Sequence, residues 1–145
     1  MAPLVQVLGG VTSVALIADI HANALALEAV LRACKERAVS AIWCAGDVVG
    51  YNAMPRETIA LLRRRVAASV HGNHDLMVVG LLPASDIGPR ARRAVEWTRE
   101  TLSESEVRWL AALPPMLRFG SHVLCLHATL GDTRTRLASD VEWGA

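Results

Sequence analysis

The sequence predicts an α/β fold that opens as a βαβαβ unit. Three observations predict it. Apolar runs of strand length alternate with stretches of helical period over the first half of the chain. Each of the first three runs ends in a polar residue: Asp19, Asp47 and Asn73. Farther on, two β-type runs flank Gly120-Ser121, a two-residue hairpin signal that adds antiparallel strands. The 145 residues suffice for one domain with its own core.

Residues 1–10 end in Gly9-Gly10 and read as an N-terminal extension. The domain is expected over 11–132. Val11 to Ala18 is continuously apolar, which suits a strand covered on both faces, and it ends at Asp19. The loop Ile20-His21-Ala22-Asn23 follows, with Asn23 as N-cap of a helix over 24–37. Leu27, Val30, Leu31 and Cys34 give that helix one apolar stripe. Ala41 to Cys44 is the second strand, ending at Gly46-Asp47. A loop through Tyr51 leads to Pro55, which suits the first turn of a helix continued by Ile59, Leu62 and Val66. Arg63, Arg64 and Arg65 complement the dipole at that helix's end. The third strand, 66–70, delivers His71-Gly72-Asn73-His74-Asp75.

Beyond it, 76–82 reads as helical, and 89–102 as a basic amphipathic helix bearing Arg90, Arg92, Arg93 and Arg99. Ser103 to Glu106 matches a capping box, and Pro114-Pro115 stops the helix it starts. The hairpin strands are 116–119 and 122–126, the second ending at His127. Residues 133–145 read as a polar tail.

Composition excludes several classes. Hydrophobic residues are 52% and charged ones 20%, so the chain is not disordered. A net charge of +1 gives no global case for nucleic-acid binding. No apolar run reaches the roughly 18–20 residues of a membrane span, and the N-terminus makes a poor signal peptide. Cys34, Cys44 and Cys125 form no CxxC pair, which fits buried thiols in a cytoplasmic protein. No P-loop or GxGxxG occurs, which disfavours a nucleotide-binding α/β domain of those types.

The polar residues at strand ends form a set: Asp19, His21, Asp47, Asn73, His74 and His127. Carboxylate, imidazole and amide oxygen suit Mn²⁺, Fe, Zn²⁺ or Ni²⁺. With no cysteine in the set, a structural zinc site is not expected. Asp19 and His21 are close enough to bind one ion from one loop. Asp47, on the neighbouring strand, can bridge two. Two ions roughly 3.5–4 Å apart can clamp a phosphoryl group for in-line attack. GNHD alone would occur by chance about once in a thousand chains of this length, so its meaning rests on the rest of the set. His71 and His122 are given no role, and Trp43, Trp97 and Trp109 read as packing residues.

The order Asp19-Ile20-His21, Gly46-Asp47, Gly72-Asn73-His74-Asp75 and a later strand-end His127 resembles the calcineurin-like metallophosphoesterases, in particular their small bacterial phosphodiesterase-like branch. The likeness runs from about Val11 to about Asp132. It implies a mixed-sheet sandwich flanked by helices. It also implies two divalent ions, Mn²⁺ first among them. Asp19 and His21 would hold one, Asn73 and His127 the other, and Asp47 would bridge them. His74 would act as the general acid that protonates the leaving oxygen, and Asp75 would support it. The implied reaction is hydrolysis of a small phosphate ester, a diester first, by metal-bound hydroxide. Nucleic acid is not favoured as a substrate, though the basic helix keeps it open.

Three departures stand out. Ala22 and Ala128 occupy places where the family usually has glycine. The family's later GHxH motif does not occur in the 145 residues, and His122 lies at the wrong end of its strand to replace it. The expectation is therefore a chain lacking the family's C-terminal part, or one that completes itself as a homo-oligomer. A degenerate member that binds metal or a partner without turnover is the competing reading.

Overall fold

The computed structural model describes residues 4–6, 11–119, 123–129 and 132–134. Among them the chain forms six strands, β1 (Leu4–Gln6), β2 (Val14–Ile17), β3 (Ala41–Cys44), β4 (Ala68–Ser69), β5 (Met116–Phe119) and β6 (Val123–Leu126). Five helices join them: α1 (Ala24–Glu36), α2 (Pro55–Arg65), α3 (Asn73–Val79), α4 (Pro89–Thr101) and α5 (Glu104–Ala111).

The βαβαβ expectation holds. β2, β3 and β4 form one parallel sheet, with Leu16 opposite Trp43 and Cys44 opposite Ser69. The third strand is shorter than its apolar run, but Ala67 and Val70 extend its hydrogen bonding to Ile42 and Cys44. The hairpin expectation holds as well: β5 and β6 pair antiparallel, Met116 opposite Leu126. Their turn, Gly120-Ser121, lies outside the described residues. Leu4–Gln6, inside the stretch read as an extension, pairs parallel with β5 and makes a second, mixed sheet in the order β1-β5-β6.

Strand alternation explains the layers. Trp43 and Cys44 are neighbours on β3 and face opposite ways. Trp43 joins Ala68, Val70, Leu117, Phe119 and Cys125 between the two sheets. Its ring stacks on Phe119 with centroids 3.5 Å apart. Cys44 joins Leu27, Ile59, Leu62, Met77, Val95 and Leu110 between the parallel sheet and the helices. The result is the mixed-sheet sandwich flanked by helices.

Two readings need correction. Among the described residues β2 is not covered on both faces. It is the edge strand of its sheet, and Leu16 is 64% exposed. Continuous apolarity reports that a strand suits a covered site, not that the described residues supply the cover. The helix expected at 76–82 starts earlier, at Asn73, and ends at Gly80 with φ +81. Asp75 causes the early start, because its carboxylate accepts the Gly72 amide at 2.9 Å. The capping box at Ser103 and Glu106 forms as expected. Among the described residues no helix is long and apolar enough to cross a membrane.

Candidate metal centre

The carboxyl ends of β2, β3 and β4 lie side by side, so the loops that follow them converge. Backbone bonds zip these loops together: Asp19 N–H donates to Gly46, His21 N–H to Asp47 and Ala22 N–H to Val48. The zipper requires unusual backbone. Asp19, His21, Ala22 and Asp47 all have positive φ, from 48° to 59°. Left-handed conformations of this kind are costly for L-residues and gather where a site is over-determined by its surroundings.

Asp75 is the pin of the arrangement. It is fully buried and accepts three backbone amides, from Val48 at 3.2 Å, Val49 at 3.0 Å and Gly72 at 2.9 Å. It thereby ties the loop after β3 to the start of α3. Where the resemblance implies support of His74, the bonds go to these amides, which carry Asp47 and Asn73 beside them. Burial, the largest cause, raises Asp75 to about 6.

Two glycines give the site its close approaches. A Cβ on Gly72 would lie 2.0 Å from Asp47 Oδ1. Gly50, at φ +134, would place a Cβ 2.8 Å from His74 Nδ1. Sequence reading assigned neither a steric duty, because the crowding comes from residues distant along the chain.

All six strand-end residues line one cleft of about 710 Å³, together with Tyr51 and Arg134. Asp47 sits at its floor, 3% exposed. Its Oδ1 accepts the His74 amide at 2.9 Å. Its Oδ2 lies 3.7 Å from His21 Nε2 and 3.6 Å from His127 Nε2. Asp19 Oδ1 is 3.7 Å from the same His21 nitrogen. One donor atom each from Asp19, Asp47 and His127 lies within 4.8 Å of the others. Burial foremost, then the charge of Asp75, raises Asp47 to about 7, so the ion-free pocket resists holding its negative charge.

These residues fit divalent metal. His127 Nδ1 is 2.8 Å from the Ala45 carbonyl, and His21 Nδ1 is 3.3 Å from that of Val49. A carbonyl only accepts, so each neutral ring carries its proton on Nδ1 and turns a lone pair on Nε2 into the cleft. Metal-ligating histidines are held in this way. His127 Nε2 then faces Asn73 Oδ1 at 3.1 Å. In that tautomer both atoms are acceptors, an arrangement that a cation between them would satisfy.

His74 differs from the other histidines. Its Nδ1 is enclosed without a partner among the described residues, and its ring lies edge-on to His21 at 4.9 Å and tilted against Tyr51 at 4.5 Å. Burial, followed by the neighbouring His21 and His127, lowers it to about 4. His71 keeps no site role: its amide bonds Pro114, and it lines neither the cleft nor the donor cluster. His122 lies outside the described residues.

The sequence pattern of the calcineurin-like phosphoesterases matches residues 12–143. The chain belongs to that family. Metal-dependent hydrolysis of phosphate esters is the family's chemistry. An uncharacterised protein of Methanocaldococcus jannaschii is 36% identical over 118 residues, covering 79% of this chain and 49% of that one. The crystal structure of a metallophosphoesterase from Sphaerobacter thermophilus is 40% identical, with a TM-score of 0.59, covering 72% of this chain and 42% of that one. A protein provisionally described as a diadenosine tetraphosphatase is 27% identical, with a TM-score of 0.68, covering 92% of this chain and 58% of that one. The chain thus spans about half the length of these relatives.

Proposed function

We propose that the chain hydrolyses phosphate esters, phosphodiesters first, with two divalent ions, Mn²⁺ foremost and Fe, Zn²⁺ or Ni²⁺ as alternatives. One observation carries the reading: Asp47 Oδ2 lies between His21 Nε2 and His127 Nε2, at 3.7 and 3.6 Å, at the floor of the cleft. Asp19 and His21 would hold one ion, Asn73 and His127 the other, and Asp47 both. Bound ions would activate water and neutralise phosphoryl charge.

The remaining work falls to the chain. The cleft admits a phosphate against His74. With Nδ1 enclosed, Nε2 is the atom that hands a proton to the leaving oxygen. His74 is neutral at rest, and the charge of an incoming phosphate favours its protonated form. Tyr51, ring to ring with His21 and His74, limits the positions both imidazoles can take.

The proposed substrate is a small phosphate ester, and the proposed compartment is the cytoplasm. Cys34, Cys44 and Cys125 are free and buried, and burial pushes the Cys44 thiol up to about 12, as suits unreactive thiols. The test is hydrolysis of bis-p-nitrophenyl phosphate with added Mn²⁺. Turnover that disappears in His74→Ala, with Mn²⁺ binding retained, supports the enzyme. A folded chain that binds Mn²⁺ but turns over nothing supports the second reading, metal binding without catalysis. That reading is compatible with the three donors that each ion would find among the described residues. Homo-oligomerisation is the corresponding proposal for completing the site.

A further inference from the structure

One residue of the metal cleft has no part in the proposed hydrolysis. Arg134 lines the cleft beside Thr133, and among the described residues it is the one lysine or arginine that does. The carboxylates in the same lining are Asp19 and Asp47. Arg134 is therefore the cleft's own permanent cation.

Both its main chain and its side chain are held. Thr129 and Asp132 pair through their backbones, N–H to carbonyl at 3.1 and 3.3 Å, and Asp132 Oδ1 accepts the Arg134 N–H at 2.8 Å. The Arg134 Nη1 pairs with Asp86 Oδ2, and Nη2 donates to the Pro83 carbonyl at 2.9 Å, both in the segment between α3 and α4. This tether adds little stability, because the Asp86 side chain is 62% exposed and such ion pairs are screened by water. Its effect is orientation. A guanidinium carries five N–H groups in a fixed fork. The two bonds to Asp86 and Pro83 leave the others unspent among the described residues. A flexible side chain thereby becomes a preset donor for an anion in the cleft.

The count of phosphate oxygens then matters. A phosphodiester has two non-bridging oxygens that share one negative charge. A phosphomonoester has three, with a charge of about −1.5 to −2 at pH 7. We propose that Arg134 is a specificity-determining residue: it binds a non-bridging oxygen of the phosphate and adds more affinity for a monoester than for a diester. A fixed guanidinium gains most where the ligand brings an extra anionic oxygen, and least where that oxygen is esterified. The inference rests on the phosphoesterase reading and deepens it. It extends the substrate from diesters to monoesters through a residue outside the proposed metal ligands.

Calorimetric titration of the Mn²⁺-loaded chain with phenylphosphonate and with methylphenylphosphinate tests it without turnover. Neither probe has an ester bond to hydrolyse, and they differ by one anionic oxygen. The parent is expected to bind phenylphosphonate the more tightly. Arg134→Gln should weaken phenylphosphonate about tenfold, weaken methylphenylphosphinate much less, and leave Mn²⁺ affinity unchanged. Arg134→Lys keeps the charge but loses the fork, and should recover part of the loss. Arg93→Gln removes equal charge from an exposed residue that does not line the cleft, and should bind both probes as the parent does. No phenylphosphonate binding, equal losses for the two probes, an equal loss in the Arg93 control, or Mn²⁺ affinity lost with Arg134 would each overturn the proposal. Phenylphosphonate bound through Arg134 by a chain that hydrolyses neither p-nitrophenyl phosphate nor bis-p-nitrophenyl phosphate would sink the phosphoesterase reading and leave the contact standing. Hydrolysis of the bis ester, with phenylphosphonate affinity indifferent to Arg134, would do the reverse.

Discussion

Asp19 and Asp47 end neighbouring strands with nearly the same twist, φ 52° and 53°, yet only one of them is locked. The Asp47 side chain is 4% exposed. It accepts the His74 amide and sits against Gly72, in a loop that Asp75 holds by two amides. The Asp19 side chain is 63% exposed, and its contact is His21 Nε2 at 3.7 Å. Asp47 is thus placed by the protein before any ion arrives, at the cost of burying charge. Asp19 keeps its hydration and must be ordered by what it binds. One site therefore contains a prepaid arm and an adaptable one.

Asp47→Asn should break this contrast most severely. The amide keeps an oxygen for the His74 N–H but loses the negative charge proposed to bridge the ions. Turnover of bis-p-nitrophenyl phosphate should fall about a thousandfold, in the range of losing a central electrostatic group. The metal-free protein should nevertheless melt higher, because a buried carboxylate beside Asp75 has gone. Asp19→Asn should weaken Mn²⁺ binding and leave the metal-free melting temperature unmoved. If the two variants change metal-free stability alike, the contrast fails.

Gly72→Ala attacks the same arm through space rather than charge. A methyl 2.0 Å from Asp47 Oδ1 must displace the carboxylate or the start of α3. Chemical denaturation should show a loss of about 2–3 kcal/mol, with turnover reduced about a hundredfold. An unchanged denaturation midpoint would mean that Asp47 is free to move. Asp75→Asn should cost somewhat less, about 1–3 kcal/mol, because its amide group meets a backbone donor where a carboxylate oxygen had accepted one.

The pH dependence of the metal-free protein separates the two arms more gently. Asp47 and Asp75 are raised above their ordinary values, so they hold protons in the folded state that the unfolded chain has lost. Their contribution is full below about pH 4 and is lost as pH rises through their folded values. His21, His71 and His74 are lowered and act oppositely, gaining stability as pH rises through 6.5. The two effects therefore offset one another above pH 6.5, and Asp47→Asn separates them. Subtracting its profile from the parent's should leave a fall of up to about 1 kcal/mol between pH 6.5 and 8, which Mn²⁺ should reverse by giving the ionised form a partner. A difference that rises over this interval in the metal-free protein would contradict the burial cost assigned to Asp47.

The contrast also explains what the sequence made legible. Strand ends were readable because an apolar run that stops at Asp19, Asp47 or Asn73 is a local pattern, and the order of those residues matched the cleft. The exposure of β2 was not readable: Leu16 looks like a core residue, and only its neighbours decide whether it is one. Asp75 is hard to read for the same reason. Beside His74 in the chain, it invites a role toward that ring, but its partners Val48 and Val49 are supplied by the fold. Gly50 and Gly72 carry no chemistry, so their importance emerges only as distances. The four arginines of α4 are visible as charge, but not that Arg92 and Arg99 spend theirs on backbone carbonyls of the preceding segment.

The smallest test concerns the two alanines that replace the family's usual glycine. Ala22 follows His21 and Ala128 follows His127, with φ 59° and 64°. Each L-residue in this region costs about 1–2 kcal/mol, and glycine gives back about 0.5–1 kcal/mol in unfolded-state freedom. Ala128 is half-buried, so Ala128→Gly should stabilise by about 0.5 kcal/mol. Ala22 is fully buried, and losing its methyl removes about 0.8 kcal/mol, so Ala22→Gly should come out near zero. Denaturant midpoints compared between the two variants read the difference directly. If Ala22→Gly proves the more stabilising, its methyl is not packed as the structure has it. The zipper between the Asp19 loop and the Asp47 loop would then be looser than its backbone bonds imply.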